Sequence, residues 1–257
     1  MQAYPRLAEL AHETYEPRGI FNSEMAAVIA LSVATGVDVF VESGRARGHS
    51  TLLLAKHLGP VGIAIHSFDR DRNADAVYSE AKLTGLPRLH LHYGDSRLLI
   101  PQFVAGLAGK RIGLLVDGPK DRKAFALLSD CLIRSDDIAV AFVHDLPRYK
   151  NSPSEGRVYA QKYFEDPFFT DDAEFVERFG YLDAPVFAAT DADKGHWKPY
   201  RNGELEMASY GPTLGVFIPA GADRKAATQR GVSVSAPQRL YWSLKDRLRR
   251  RATRVAG

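Results

Sequence analysis

Residues 37–58 read VDVFVESGRARGHSTLLLAKHL, and this stretch decides the fold. Its first seven residues form a β-branched run of the kind found in a buried strand. Gly44 and Gly48 mark a turn, and TLLLAKHL is a leucine-rich helix stopped by Gly59 and Pro60. Strand, glycine-containing turn and helix therefore follow one another without a spacer.

Moving outward, the same rhythm repeats. IAIHSFDRD (63–71) reads as a strand ending in acids, and ADAVYSEAKLTG (74–85) as a helix with a glycine stop. LHLHYGDS (89–96) is a short alternating strand, followed by room for a helical turn before Gly109. RIGLLVDG (111–118) is a strand, KAFALLSDCLI (123–133) a helix and DIAVAFVHDL (137–146) another strand. Upstream, NSEMAAVIALSVA (22–34) opens on two N-capping residues and continues as a helix with a broad apolar face. Strands alternating with helices predict an α/β, Rossmann-like, doubly wound and mostly parallel sheet with helices on both faces.

After Pro147 the pattern changes. Residues 148–208 are rich in aromatics, Asp, Pro and Gly, and are expected to form an insertion capping the ligand edge, with one helix near 172–180. PTLGVFIP (212–219) reads as a last strand returning to the sheet. The expected division is a domain over 1–222 and a basic C-terminal tail over 223–257. That tail includes the amphipathic helix RLYWSLKDRLRRRATRV.

Composition narrows the function. The chain has 257 residues, 45% hydrophobic and 25% charged, an ordinary globular balance that excludes a disordered or collagen-like protein. Cys131 is the single cysteine, so no intramolecular disulfide and no Cys-based zinc site can form. The N-terminal residues lack a basic segment followed by an apolar one. The most apolar stretch, Met25 to Val41, is short and interrupted by Ser32, Thr35 and Asp38. A soluble, cytoplasmic protein without a transmembrane segment is expected. The formal charge of +3 hides an asymmetry: residues 223–257 carry ten Lys/Arg and two Asp, leaving 24 basic and 29 acidic residues elsewhere. An acidic body weighs against nucleic acid as partner, except through the tail.

In an open parallel sheet, ligands bind beyond the carboxyl ends of the strands. Four places qualify: ESGRARGHS, FDRD, GDS and VDGPKDR. In the first, Gly44 and Gly48 allow close backbone approach, and the helix N-terminus offers free N–H groups. The spacing is neither the dinucleotide fingerprint nor a P-loop. Asp69 is placed to accept from ribose hydroxyls, with Asp71 as its competitor. Asp95 and Ser96 are placed to meet an adenine edge.

This order and spacing resemble the class I S-adenosylmethionine-dependent methyltransferases, most closely the small O-methyltransferase branch that includes catechol O-methyltransferase. VESGRARGHST is similar to that branch's first motif, HYGDS to its adenine segment, and LLVDGPKDRKAFALL with AFVHDL to its metal-and-base region. The resemblance spans about residues 25–146. It implies that Glu42, Gly44, Gly48 and Ser50 surround the methionine end of S-adenosylmethionine, Asp69 the ribose, and Asp95 with Ser96 the adenine. It further implies Asp117, His144 and Asp145 as ligands of Mg²⁺ or another divalent cation. Lys120 would be the general base, its pKa lowered, acting on the hydroxyl of a small-molecule acceptor. The family's usual acid–acid or acid–amide pair is His144–Asp145 here, and imidazole suits transition metals better than Mg²⁺.

Other features carry two readings each. His90 and His92 share one strand face, as paired ligands or as partly buried strand residues. Tyr159, Tyr163, Phe164, Phe168 and Phe169 form either a lid over the acceptor or a small core. His196, Trp197 and Tyr200 are candidates for substrate contact, and the tail is a solvated face or a surface for anionic partners. The alternatives to a small-molecule methyltransferase are an RNA or protein methyltransferase using the tail and a non-catalytic partner-binding module. No [DN]-P-P-[YFW] motif supports methylation of nucleic-acid amino groups, and the glycine spacing disfavours an NAD-dependent oxidoreductase.

Overall fold

A computed structural model describes residues 6–16, 19–148, 153–192 and 213–219. The expected tail helix, His196, Trp197, Tyr200 and the boundary at 222 lie outside the described residues. The strands are β1 (Val39–Ser43), β2 (Ala64–Asp69), β3 (Leu89–Tyr93), β4 (Ile112–Val116), β5 (Ile138–Val143), β6 (Phe168–Phe169) and β7 (Gly215–Phe217). They form one sheet in the order β3-β2-β1-β4-β5-β7-β6. The first five are parallel, and β7 runs antiparallel to both β5 and β6. The fold is thus the α/β, Rossmann-like, doubly wound one expected.

The chain winds outward from β1 to β2 and β3, then crosses back to place β4 on the other side of β1. Between β1 and β4 the strand order reverses, and the crevice beyond that point is where such sheets hold ligands. Register sets the crevice: Ser43 lies opposite Val116, so the segments following both strands emerge side by side. The N–H groups of Asp117 and Gly118 both donate to the Ser43 carbonyl, at 2.8 and 2.9 Å.

Helices α1 (Asn22–Ala34) and α2 (His49–Leu58) cover one face. Their Met25, Val28, Ile29, Leu53, Leu54 and Leu58 pack with Phe40, Ile65 and Phe142 of the sheet. On the other face lie α4 (Ser96–Ala105), α5 (Arg122–Arg134) and α6 (Glu155–Tyr163). In α5, Phe125, Leu128 and Leu132 recur at helical spacing and are buried against Val41, Leu114 and Val143. Each such side chain stabilises the fold by roughly 1.5–3 kcal/mol. Gly113 in β4 makes room for Phe40, since a Cβ there would meet the ring at 2.7 Å.

Helix α3 (Ala74–Leu83) connects β2 to β3. Between β3 and Gly109 the structure has a full helix, α4, where the sequence suggested a turn; Pro101 is accommodated within it. The described part of the expected cap, residues 153–192, extends the sheet and its layers. β6 pairs with β7, and α7 (Ala173–Phe179) and α8 (Ala184–Ala192) follow. The reason is packing: Phe164 and Phe169 are buried in the main core, with Phe164 4.7 Å from the Phe217 ring. Among the described residues no helix is long and apolar enough to cross a membrane.

Candidate functional site

The site has two halves, one on each side of the switch point. The first is the loop between β1 and α2. Gly44 has φ +92° and Gly48 φ +78°, conformations that favour glycine, and a Cβ on Gly44 would lie 2.7 Å from the Gly118 nitrogen. Asp69, at the end of β2, grips this loop: one carboxylate oxygen accepts the N–H groups of Arg45 and Ala46 at 3.2 and 2.8 Å. Its other oxygen accepts the Arg70 N–H at 2.7 Å. Asp71 is instead engaged in an exposed ion pair with Arg70. The structure therefore connects Asp69, and not its competitor, to the glycine loop.

Glu42 is fully buried within β1, and three hydroxyls hold it. Ser50 donates to one carboxylate oxygen, Thr51 and Ser67 to the other, each at 2.5 Å. Burial raises its pKa, and the three hydroxyl donations counter part of that rise. Glu42 and Ser50 thus brace the start of α2. Arg45 stands between the two glycines, but its side chain turns back beneath the sheet. There it donates to Ser79 Oγ and the Ser67 carbonyl and lies over the Tyr93 ring.

A strap from the N-terminal segment crosses this loop. Glu16 pairs with Arg47 at 2.5 Å and with Lys82 at 3.3 Å, and Tyr78 donates to it. Buried His49 accepts the Glu16 N–H at its Nδ1, which leaves Nε2–H to donate to Asn22 Oδ1. Burial, with the Lys82 charge adding, lowers the His49 pKa to about 3. The cavity beneath the strap is only about 70 Å³ and is lined by Glu16, Arg45, Ala46, Ser50 and Asp117. That is room for a few waters. The larger cavity, about 610 Å³ between α1, α7 and β6–β7, is apolar and touches none of the four strand ends.

At the end of β3, buried Asp95 caps α4, accepting the Arg97 N–H at 3.0 Å and the Arg97 guanidinium. Ser96 is the first residue of α4. The Gly94 N–H donates to the Asp69 carbonyl at 2.9 Å, so this segment and the ribose candidate are neighbours.

The second half follows β4 and β5 and is strongly charged. Lys120 donates to Asp117 and, at 2.6 Å, to Asp145. His144 Nδ1 lies 2.8 Å from Asp117 Oδ1 and 3.3 Å from Asp145 Oδ1. Its Nε2 lies 3.2 Å from the buried Glu24 carboxylate, in the first turn of α1. Burial works against charge on His144, but Asp145, Asp117 and Glu24 outweigh it and raise its pKa to about 10. Burial likewise opposes ionisation of Asp117, yet Lys120 and His144 hold it below the usual carboxylate range. The expected lowering of the Lys120 pKa is corrected here. Burial alone would lower it, but the Asp117 and Asp145 carboxylates raise it, so Lys120 is an ammonium group and not a ready base.

The three expected metal ligands do converge: donor atoms of Asp117, His144 and Asp145 all lie within 4.8 Å of one another. Two carboxylates and an imidazole whose far nitrogen meets another carboxylate fit a divalent cation. Such an ion would displace the Lys120 ammonium from the same carboxylates. Glu24 escapes sequence reasoning as a site residue, although a lone acid in an apolar helix is a usable signal. By contrast, His90 and His92 stack with His66 and Phe68 on the outer strands. His66 Nδ1 lies 3.0 Å from His92 Nε2, and the His66–His90 ring centroids are 4.5 Å apart.

No protein-family model and no curated protein matches the chain. Among solved structures, it is similar to the O-methyltransferase TomG from Streptomyces achromogenes, involved in tomaymycin synthesis, in complex with SAM. That pair shares 13% identity at TM-score 0.48, covering 84% of this chain and 88% of the other. A putative O-methyltransferase from Klebsiella pneumoniae matches at 14% identity and TM-score 0.42, covering 84% and 89%. A putative rRNA-methylase from Clostridium thermocellum matches at 13% and 0.46, covering 77% and 97%.

Proposed function

We propose that this chain is an S-adenosylmethionine-dependent methyltransferase acting on a hydroxyl of a small molecule. One observation carries the reading. Asp69 grips the glycine loop on one side of the switch point, and the Asp117–Lys120 cluster faces it from the other, with Asp117 and the loop lining one cavity.

The residues fit that donor. The Gly44–Gly118 contact leaves no space for a side chain and brings the two loops of the crevice together. A carboxylate offers about four lone-pair positions, and Asp69 has committed three to N–H groups. The remaining one suits a ribose hydroxyl. When bound, S-adenosylmethionine supplies a methyl group on a sulfonium sulfur, open to in-line displacement by an oxygen.

Alignment and charge then fall to the chain's own groups. Lys120, as an ammonium, donates to the acceptor oxygen and stabilises the negative charge that develops as its proton leaves. The Asp117 and Asp145 carboxylates are the acceptors nearest that proton. Asp117, His144 and Asp145 would hold a divalent cation, which would lower the acceptor's pKa by charge. A non-catalytic module is the second reading, favoured by the observation that Lys120 already has two carboxylate partners.

Isothermal titration with S-adenosylhomocysteine, and separately with NAD, tests the proposal. Micromolar binding of the first alone is expected, weakened about tenfold or more in Asp69→Ala, which loses a charged acceptor. Absence of binding in the wild type sinks the cofactor assignment.

A further inference from the structure

Glu24 is the one acid in a helix whose other residues are apolar or small, and it is 3% exposed. Burying a carboxylate costs several kcal/mol unless its oxygens are met. One oxygen accepts the Phe21 N–H at 3.0 Å, the ordinary duty of an acid in a first helical turn. A solvent-exposed acid could do that without the burial. What burial adds is the second contact of the same oxygen, 3.2 Å from His144 Nε2, and a longer one from Thr170 Oγ1 to the other oxygen. The partner sits 120 positions away, at the end of β5.

His144 is buried too, and its other nitrogen faces Asp117 and Asp145. A ring held at both nitrogens cannot flip: turning it over would put carbon where each carboxylate expects a donor. From this geometry we infer that Glu24 is a positioning residue, which fixes the His144 ring so that Nδ1 is aimed into the Asp117–Asp145–Lys120 cluster. Glu24 touches none of the reacting groups; it acts through His144. The assignment of a catalytic consequence rests on the methyltransferase reading, while the orientation of His144 does not.

The test uses the full chain and two variants. Glu24→Gln keeps an oxygen for the Phe21 N–H but removes the charge, and Glu24→Leu removes every acceptor. Long-range ¹⁵N–¹H correlation of the histidine side chains, with His144 assigned by His144→Gln, reads the ring directly. The wild type should show one fixed His144 pattern. Glu24→Gln should move the Nε2 resonance, and Glu24→Leu should move it further while Nδ1 still faces Asp117 and Asp145. In turnover, both variants should lose kcat, by roughly 10–100-fold for Glu24→Leu, as partners one step behind a functional histidine do. KM for the methyl donor and affinity for S-adenosylhomocysteine should stay within about twofold of wild type. An Nε2 resonance unchanged in Glu24→Gln overturns the inference, and this holds even where Glu24→Leu fails to fold. Altered spectra in a protein that binds no S-adenosylhomocysteine would uphold the positioning of His144 while removing the methyltransferase reading.

Discussion

The two halves of the crevice are built on opposite principles. Around Glu42 and Asp69, carboxylates are satisfied by hydroxyls and backbone N–H groups, each geometrically fixed by a strand or by the loop itself. Around Asp117, carboxylates are satisfied by two cations, Lys120 and His144, the first of which would leave if a divalent ion arrived. The first half is a rigid cradle whose hydrogen bonds belong to the fold. The second is a cluster of ion pairs, which the proposed function makes the seat of the chemistry. Substitutions should therefore damage stability in the first half and function in the second.

The largest loss of stability is expected for Gly44→Ala. A side chain there carries the strain of φ +92° and meets the Gly118 nitrogen at 2.7 Å, forcing the ends of β1 and β4 apart. Backbone strain of this kind costs about 1–3 kcal/mol before the clash is added. A drop of about 3 kcal/mol or more in urea denaturation is the expected outcome; a neutral result would mean the two strand ends are not locked together. Next comes Glu42→Ala, which leaves the hydroxyls of Ser50, Thr51 and Ser67 without their acceptor and should cost about 2–3 kcal/mol. Glu42→Gln keeps an acceptor oxygen and should cost about half as much. Equal losses in the two would show that volume, not hydrogen bonding, matters at this position.

His49 gives the cradle a pH dependence. Its folded pKa, about 3, lies below the unfolded value near 6.5, so below pH 6.5 the unfolded chain takes up a proton that the folded chain refuses. Its contribution is complete above pH 6.5 and is lost as pH falls toward 3. Between pH 7 and pH 5 this amounts to about 2 kcal/mol. In His49→Gln, which mimics one acceptor and one donor but does not titrate, that share of the acid lability should vanish. A stability difference between the two proteins that is constant with pH would contradict the assignment.

The cradle could be read from its local sequence, whereas the roles of Asp117, Lys120, His144 and Asp145 in the cluster came from the family resemblance. VDVFVES and the glycines after it carry their structure locally, because β-branched residues favour strands and two close glycines mark a tight turn. Asp69 and Asp117 were found because each ends a strand. The course of the Arg45 side chain is not local, since its partners Ser79 and Tyr93 lie on later elements. The Lys120 pKa is raised first by Asp117, three residues before it, and then by Asp145 from the next strand's end. Glu24 was read only as part of a helix start, because its meaning comes from His144. In the segment after Pro147, the helix expected near 172–180 is α7, whereas β6 is two residues long, too short for periodicity to announce. Local patterns encode the elements, and long-range ion pairs encode the cluster.

Lys120→Met is expected to cost the least stability and so tests the contrast most sharply. The Lys120 side chain is 44% exposed, and its partners Asp117 and Asp145 are 21% and 38% exposed, so water already screens the ion pairs. Such pairs contribute about 0–1 kcal/mol, and the methionine retains most of the apolar stem. Denaturation should shift by less than about 1 kcal/mol, and S-adenosylhomocysteine should bind as in wild type, because Lys120 lies on the acceptor's side of the crevice. Turnover should nevertheless collapse, through loss of the ammonium that stabilises the developing oxyanion, by about 100-fold or more. A variant destabilised by several kcal/mol would show that the cluster is a structural clasp like the cradle, and would favour the non-catalytic module. Unchanged stability with unchanged turnover would remove Lys120 from the chemistry and leave the Asp117 and Asp145 carboxylates to account for it.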